Sequence, residues 1–260
     1  MVDLHSHILP GVDDGAPDIE TSIAMARTAV ADGIRMMVAT PHVNFEHKLE
    51  PGEIGRRVGE LNVALAREGV PLAVLSGGEV ALTRLTALEQ EELRQVSLGA
   101  GPYLLVETPY AGAAPFLEDV LFDLDLRGFR TILAHPERCV MFETDRDRLA
   151  RLVERGVLCS VNAGSIAGQF GRRVRDFTVH LFREGLVHNV ASDAHDDDIR
   201  RAELSWAFDR LDGELPGIAE QADWFTQAAP TAIVEGSSLP ALPEPPAPKR
   251  GWMRVRRQAS

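Results

Sequence analysis

Cysteine is scarce: only Cys139 and Cys159 occur in 260 residues. They form no C-x-x-C pair, which excludes a thiolate metal ribbon and a disulfide framework. They also fail the C-x5-R loop of thiolate phosphatases. The arginine after Cys139 is Arg146, one residue too far, and Cys159 has none at the required spacing. No apolar run approaches the roughly 20 residues of a membrane-spanning helix. No basic n-region precedes the first apolar residues, so no signal peptide is read and a cytoplasmic location is expected. Positive charge is short as well. Against 39 Asp and Glu stand 27 Lys and Arg, a formal net charge of −12. Such a surface repels a nucleic-acid backbone and argues against DNA or RNA as the main partner. A small phosphorylated substrate stays open, because bound metal ions would set their own local field. Finally, no Gly-rich phosphate turn follows the first apolar run, which counts against an open dinucleotide-binding sheet.

What is present points to an α/β chain. Apolar residues make up 45% of the sequence, enough for a sizeable core. Short non-alternating apolar runs, as in strands buried on both faces, recur at 2–4, 36–39, 72–75, 103–106, 131–134, 158–161 and 187–191. Helical patterns lie between them, at about 18–32, 53–68, 116–127, 146–155 and 174–184, with two more near 201–211 and 218–228. Seven strands alternating with helices fit a barrel-like (β/α)7 arrangement, and the length suits a fold that commonly takes about 250 residues. An open doubly wound sheet is the second choice. The domain reading is a barrel over 1–237, then a Pro-rich basic tail over 238–260, expected to be extended and mobile.

The strand ends carry the chemistry. His5 and His7 close the first run, His42 the second, Glu79 the third, Glu107 the fourth and His135 the fifth. Asp193 and His195 follow the seventh, and Asp14 sits in the loop after the first. In a parallel barrel these ends open on one face. Any one of these residues could be a helix cap or a satisfied core histidine, but those alternatives do not place such residues at six strand ends. Nine donors exceed what one ion can use, so two or three ions are expected. Nitrogen and oxygen donors without thiolate suit Mn, Fe, Mg or Zn. Such a centre makes water a nucleophile near neutral pH. Arg138, in His135-Pro136-Glu137-Arg138, is placed to grip phosphate oxygens. Arg172 and Arg173, after Gly168-Gln169-Phe170-Gly171, are weaker candidates for substrate contact.

Taken together, these segments resemble the polymerase-and-histidinol-phosphatase (PHP) superfamily. They are most similar to its bacterial protein-tyrosine phosphatases of capsule and exopolysaccharide synthesis. The carriers are Asp3-Leu4-His5-Ser6-His7-Ile8, Asp13-Asp14-Gly15, Ala39-Thr40-Pro41-His42, Gly78-Glu79-Val80, Glu107, Ala134-His135-Pro136-Glu137-Arg138, Asn162-Ala163-Gly164-Ser165 and Ala191-Ser192-Asp193-Ala194-His195. The resemblance implies a distorted, TIM-like (β/α)7 barrel with a cluster of metal ions, manganese first. It makes His5, His7, Asp14, His42, Glu79, Glu107, His135, Asp193 and His195 the ligands and Arg138 the phosphate-binding arginine. The implied substrate is the phosphotyrosine tail of a bacterial tyrosine autokinase. An oligomer is possible on this reading. The Pro-rich basic tail has no counterpart in the resemblance.

Phenol's pKa of about 10 makes tyrosine a fair leaving group, with His42 or His195 as proton donor where not committed to metal. A histidinol-phosphate or other small-molecule phosphomonoesterase is the alternative that the same centre could serve. A PHP-type exonuclease conflicts with the net charge. A non-catalytic binder of a phosphorylated kinase tail is the non-enzymatic alternative.

Overall fold

The structure, a computed structural model, describes residues 1–246. The basic end of the tail, from Lys249 onward, therefore lies outside the described residues. In chain order the elements are β1 (Val2–Ser6), α1 (Ile19–Ala31), β2 (Met36–Ala39), β3 (His42–Val43), α2 (Pro51–Arg67), β4 (Ala73–Ser76) and β5 (Glu79–Ala81). Next come α3 (Leu82–Leu85), α4 (Gln90–Val96), β6 (Tyr103–Glu107), α5 (Leu117–Leu126), β7 (Arg130–Ala134), α6 (Val140–Thr144) and α7 (Arg146–Glu154). The chain ends through β8 (Leu158–Asn162), α8 (Ala163–Ala167), α9 (Arg172–Arg183), β9 (Asn189–Ala191), α10 (Ser205–Asp212) and α11 (Ala229–Glu235).

All recorded strand pairs are parallel. They form two sheets, ordered β1-β2-β4 and β3-β5-β6-β7-β8-β9, joined by one isolated bridge between Ser6 and Ala194. Two of the seven expected strands are thus each broken in two. One break falls at Thr40-Pro41, where proline supplies no ladder N–H. The other falls at Gly77-Gly78, where neighbouring strands press so close that a methyl on Gly77 would meet Val38 at 2.7 Å. Asn62 of α2 covers the outer edge of the smaller sheet. Its amide donates to the Val74 carbonyl at 2.8 Å, and its carbonyl accepts the Val74 N–H at 3.0 Å, in place of a further strand.

The helices follow from their apolar spacing. α2 starts with Pro51 at its first turn, where a missing N–H costs nothing, and buries Ile54, Val58, Leu61 and Leu65. α1 is capped by Asp18, whose carboxylate accepts the Thr21 N–H at 2.9 Å. Along β6, Leu104 and Val106 join the large core against the helices, whereas Tyr103 and Leu105 face a second cluster with Val2, Leu4, Ile132, Ile233 and Val234. α11 supplies the last two and so plugs the amino-terminal end of the strands. The expected helix at 218–228 is instead a short 3-10 turn followed by a π-type turn, and α11 begins only at Ala229, ahead of Pro230. Short α3, α4, α6 and α8 escaped the periodicity, because fewer than two full turns give too little pattern to read. The first residues of the Pro-rich stretch lie along the body: Leu239 packs against the second cluster, and Gln221 donates to the Glu244 carbonyl at 2.9 Å.

Candidate metal centre

The carboxyl ends of the strands bring all nine candidate donors together. They fall into four overlapping groups whose donor atoms lie within 4.8 Å of one another: His7, Asp14, His42 and His195; His5, His7 and Asp193; His5, Glu79 and His135; His42, Glu79 and Glu107. Eight of these side chains are buried or nearly so, and Asp14 stands on the rim with 57% of its side chain exposed. The backbone is strained where the centre demands it. His135 (φ 34°) and Asp193 (φ 51°) adopt left-handed conformations, two of three non-glycine residues to do so among the described residues.

Whether metal ions suit this centre can be judged from its polar atoms. His5 Nε2 and His7 Nε2 face each other at 3.3 Å, with Glu79 Oε2 3.4 and 3.3 Å away. His5 Nδ1 and His135 Nδ1 are buried with no hydrogen-bond partner. Imidazole nitrogens converging on shared carboxylates is what divalent cations require. Burial alone would push Glu79 up, but His5, His135 and His42 hold it well below the usual carboxylate range. Around Glu107, burial and then the Glu79 charge raise the carboxyl to about 7. Five imidazoles and four carboxylates, sorted into four overlapping donor groups, fit divalent metal binding.

Several residues with no role in the sequence reading hold the donors in place. Asp13 Oδ2 accepts from His7 Nδ1 at 2.8 Å and from the His42 N–H at 3.0 Å, which turns His7 Nε2 inward. The loop carrying it folds back so tightly that a Cβ on Gly15 would collide with His7. Asp3 bolts β1 to the Asp193 loop, accepting from the Ser192 N–H at 3.1 Å and the Ser192 hydroxyl at 2.5 Å. Burial pushes the Asp3 carboxyl up to about 6, and those hydrogen bonds limit the rise. Glu137 accepts from the Asn162 N–H at 2.9 Å and the Ser165 hydroxyl at 2.7 Å, and Asn162 donates in turn to Asp193 Oδ2 at 2.7 Å. Each of these supports lies in a segment that carried the resemblance, though none was given a role there.

The centre floors a cavity of about 540 Å³. Arg138 reaches it and donates to Asp193 Oδ2 at 3.3 Å. Arg200, absent from the sequence reading, lines the same cavity and donates to the same oxygen. Phe45, Leu82, Pro109 and Tyr110 give it an apolar wall. His47 also lines it, stacked on His42 with ring centroids 5.3 Å apart. Arg172 and Arg173 do not: on the first turn of α9 they pair with Asp176 and Glu143 at the surface. Both thiols are buried. Burial pushes Cys139 up to about 12 and also raises Cys159, so neither offers a thiolate at neutral pH.

Parallel strands with a cluster of candidate metal donors at their carboxyl ends place the chain in a TIM-barrel-like class of fold. In fold alone, the chain is similar to a beta-aspartyl dipeptidase from Fervidobacterium islandicum, with a TM-score of 0.57 at 15% identity over 90% of this chain and 72% of that one. Residues 1–221 match the family described as Capsular polysaccharide synthesis, CpsB/CapC, and the chain belongs to that family. It is 38% identical over 216 residues to the tyrosine-protein phosphatase YwqE of Bacillus subtilis, covering 83% of this chain and 85% of the relative. It is 28% identical to the tyrosine-protein phosphatase CpsB of Streptococcus agalactiae, over 80% of this chain and 88% of the relative. A crystal structure described as YwqE from Bacillus subtilis and CpsB from Streptococcus pneumoniae, unique metal-dependent tyrosine phosphatases, superposes with a TM-score of 0.82. It shares 34% identity and covers 94% of this chain and 99% of that one.

Proposed function

We infer that the protein is a metal-dependent protein-tyrosine phosphatase. The observation that carries this is the meeting of nine nitrogen and oxygen donors, seven of which line one cavity with Arg138 and Arg200, in a chain of this family. His5, His7, Asp14, His42, Glu79, Glu107, His135, Asp193 and His195 would hold two or three divalent ions, with manganese the first choice. Such ions, when bound, supply Lewis acidity toward the phosphoryl oxygens and make water nucleophilic near neutral pH.

The remaining tasks fall to the chain's own groups. Arg138 and Arg200 offer N–H donors to the phosphoryl oxygens and stabilise the charge that builds there. Phe45, Leu82, Pro109 and Tyr110 give the phenyl ring of the substrate an apolar wall, which suits an aryl phosphate better than a compact polar one. Where an imidazole of His42 or His195 is not committed to metal, it can protonate the departing phenolate. We read the two sheets as one distorted (β/α)7 barrel in which the Ser6–Ala194 bridge stands where the first and last strands adjoin. The substrate on this reading is the phosphorylated tail of a bacterial tyrosine kinase that drives capsule or exopolysaccharide synthesis, met in the cytoplasm. No helix among the described residues is long and apolar enough to cross a membrane.

The deciding experiment measures phosphate release from a phosphotyrosine peptide by metal-stripped protein, with and without Mn²⁺, beside histidinol phosphate. Mn²⁺-dependent release from the peptide is the expected result. Release from histidinol phosphate alone would move the enzyme to small metabolites. Tight peptide binding with no release from either would leave only a binder.

A further inference from the structure

We propose that Phe170 and Tyr110 are positioning residues that clamp the Arg138 guanidinium between two aromatic rings and aim its edge into the cavity. This rests on the reading of Arg138 as a phosphoryl-gripping arginine. The Arg138 Cζ lies 4.1 Å from the Phe170 ring centroid and 4.5 Å from that of Tyr110. Among the described residues, its side chain has one recorded polar partner, Asp193 Oδ2 at 3.3 Å. One long hydrogen bond does not fix a side chain with four rotatable carbons and nitrogens, whereas two flanking rings fix the plane. Stacking uses the faces of the guanidinium and none of its five N–H donors, which all lie in that plane. The donors not engaged by Asp193 therefore remain for an incoming anion, and the cation-π attraction holds them there before it arrives.

The local sequence presents Phe170 for this purpose. α8 ends at Gly168 in a left-handed conformation, and the following turn is closed by the Gly171 N–H on the Gly168 carbonyl at 3.0 Å. The Gln169 N–H returns to the Gly164 carbonyl, also at 3.0 Å. A methyl on Gly164 would displace the flexible end of the Gln169 side chain and stand 3.3 Å from Phe170 Cε2, so this turn packs closely against the Phe170 ring. The Gly168 to Gly171 segment flanks two arginines that turn to solvent, and its ring is what reaches Arg138. Phe170 lies outside the cavity lining and contacts none of the nine donors in the recorded ring stacks. Tyr110 is less suited to a test, because its ring stacks on His135 at 5.3 Å and its hydroxyl stands 3.4 Å from His135 Nε2.

The test is a double-mutant cycle on the full-length Mn²⁺-loaded protein, comparing wild type, Phe170→Ala, Arg138→Ala and the double variant. It reads kcat/KM for a phosphotyrosine peptide and the inhibition constant of inorganic phosphate. Phe170→Ala should lower kcat/KM about tenfold and weaken phosphate by a similar factor. In the Arg138→Ala background both effects should shrink to within about twofold, since the group being positioned is gone. Phe170→Tyr should restore both values. Phe170→Leu, which keeps apolar volume without an aromatic face, should not, and it carries the same cycle if the alanine variant fails to fold. An equal loss in both backgrounds, or no loss at all, would overturn the clamp. Wild-type rates in Arg138→Ala would overturn the arginine reading itself, and the clamp with it.

Discussion

The two ends of the strands are buried alike and built oppositely. At the amino-terminal end, Val2, Leu4, Leu105 and Ile132 close against α11 with no polar atom among their side chains. At the carboxyl end, within three residues of Leu4 on the same chain, His5 and His7 are just as buried and face other polar groups. The first end lowers its free energy by removing apolar surface from water, whatever the detailed partners. The second raises it, because buried imidazoles and carboxylates must be compensated atom by atom. That asymmetry accounts for the strained backbone at His135 and Asp193, and the unpartnered nitrogens at His5 and His135, at the carboxyl end. The apolar end is the source of stability, and the polar end is where that stability is spent on chemistry.

The contrast can be broken from either side. His135→Ala should abolish turnover through loss of metal while the far-ultraviolet circular dichroism stays that of a folded protein. Full metal content with wild-type turnover would sink the ligand assignment. Leu105→Ala should do the reverse, costing about 2–5 kcal/mol in denaturant unfolding while the folded fraction keeps its kcat. Arg138→Ala should keep metal, measured by elemental analysis, and lose about 10²-fold in kcat/KM. Asp13→Asn should weaken metal binding by about 10–100-fold in a chelator competition, because the His7 ring loses its orienting carboxylate. The smallest effect lies in the wall between strands and helices, at His188. Burial pushes this imidazole down to about 4 from an ordinary 6.5, and its Nδ1 accepts the Cys159 N–H at 3.2 Å. The unfolded chain takes up the proton first, so stability from this group is whole above about 6.5 and falls as pH drops toward 4. At pH 5.5 the loss is about 1 kcal/mol. His188→Asn, which keeps an acceptor that cannot charge, should flatten that part of the stability profile relative to wild type.

What the amino-acid order revealed follows the same division. Runs such as Tyr103–Val106 and spacings such as Ile54, Val58, Leu61, Leu65 are local, so strands and long helices were legible within a few residues. The donors other than Asp14 were legible because each ends or closely follows a local run. What stayed hidden was relational. Breaks at Thr40-Pro41 and Gly77-Gly78 depend on how close neighbouring strands come. The support given by Asp3, Asn162 and Glu137 depends on partners far away in the chain. Arg200 reaches the cavity from the loop after β9, where no periodic pattern announces it. Arg172 and Arg173 drew attention as charges, but helix geometry turned them outward and left the uncharged Phe170 against Arg138.

The join between Asp3 and Ser192 spans 189 positions of sequence, and the backbone bonds beside it tie His5 to Asp193 and His7 to Ala194. A chain emerging from the ribosome carries His5, His7 and Asp13 from the start but must wait for nearly three-quarters of its length before Asp193 and Ala194 exist. On the proposed metal role, ion capture is tied to the last stages of assembly, and a truncated or stalled product is expected to hold neither ions nor activity.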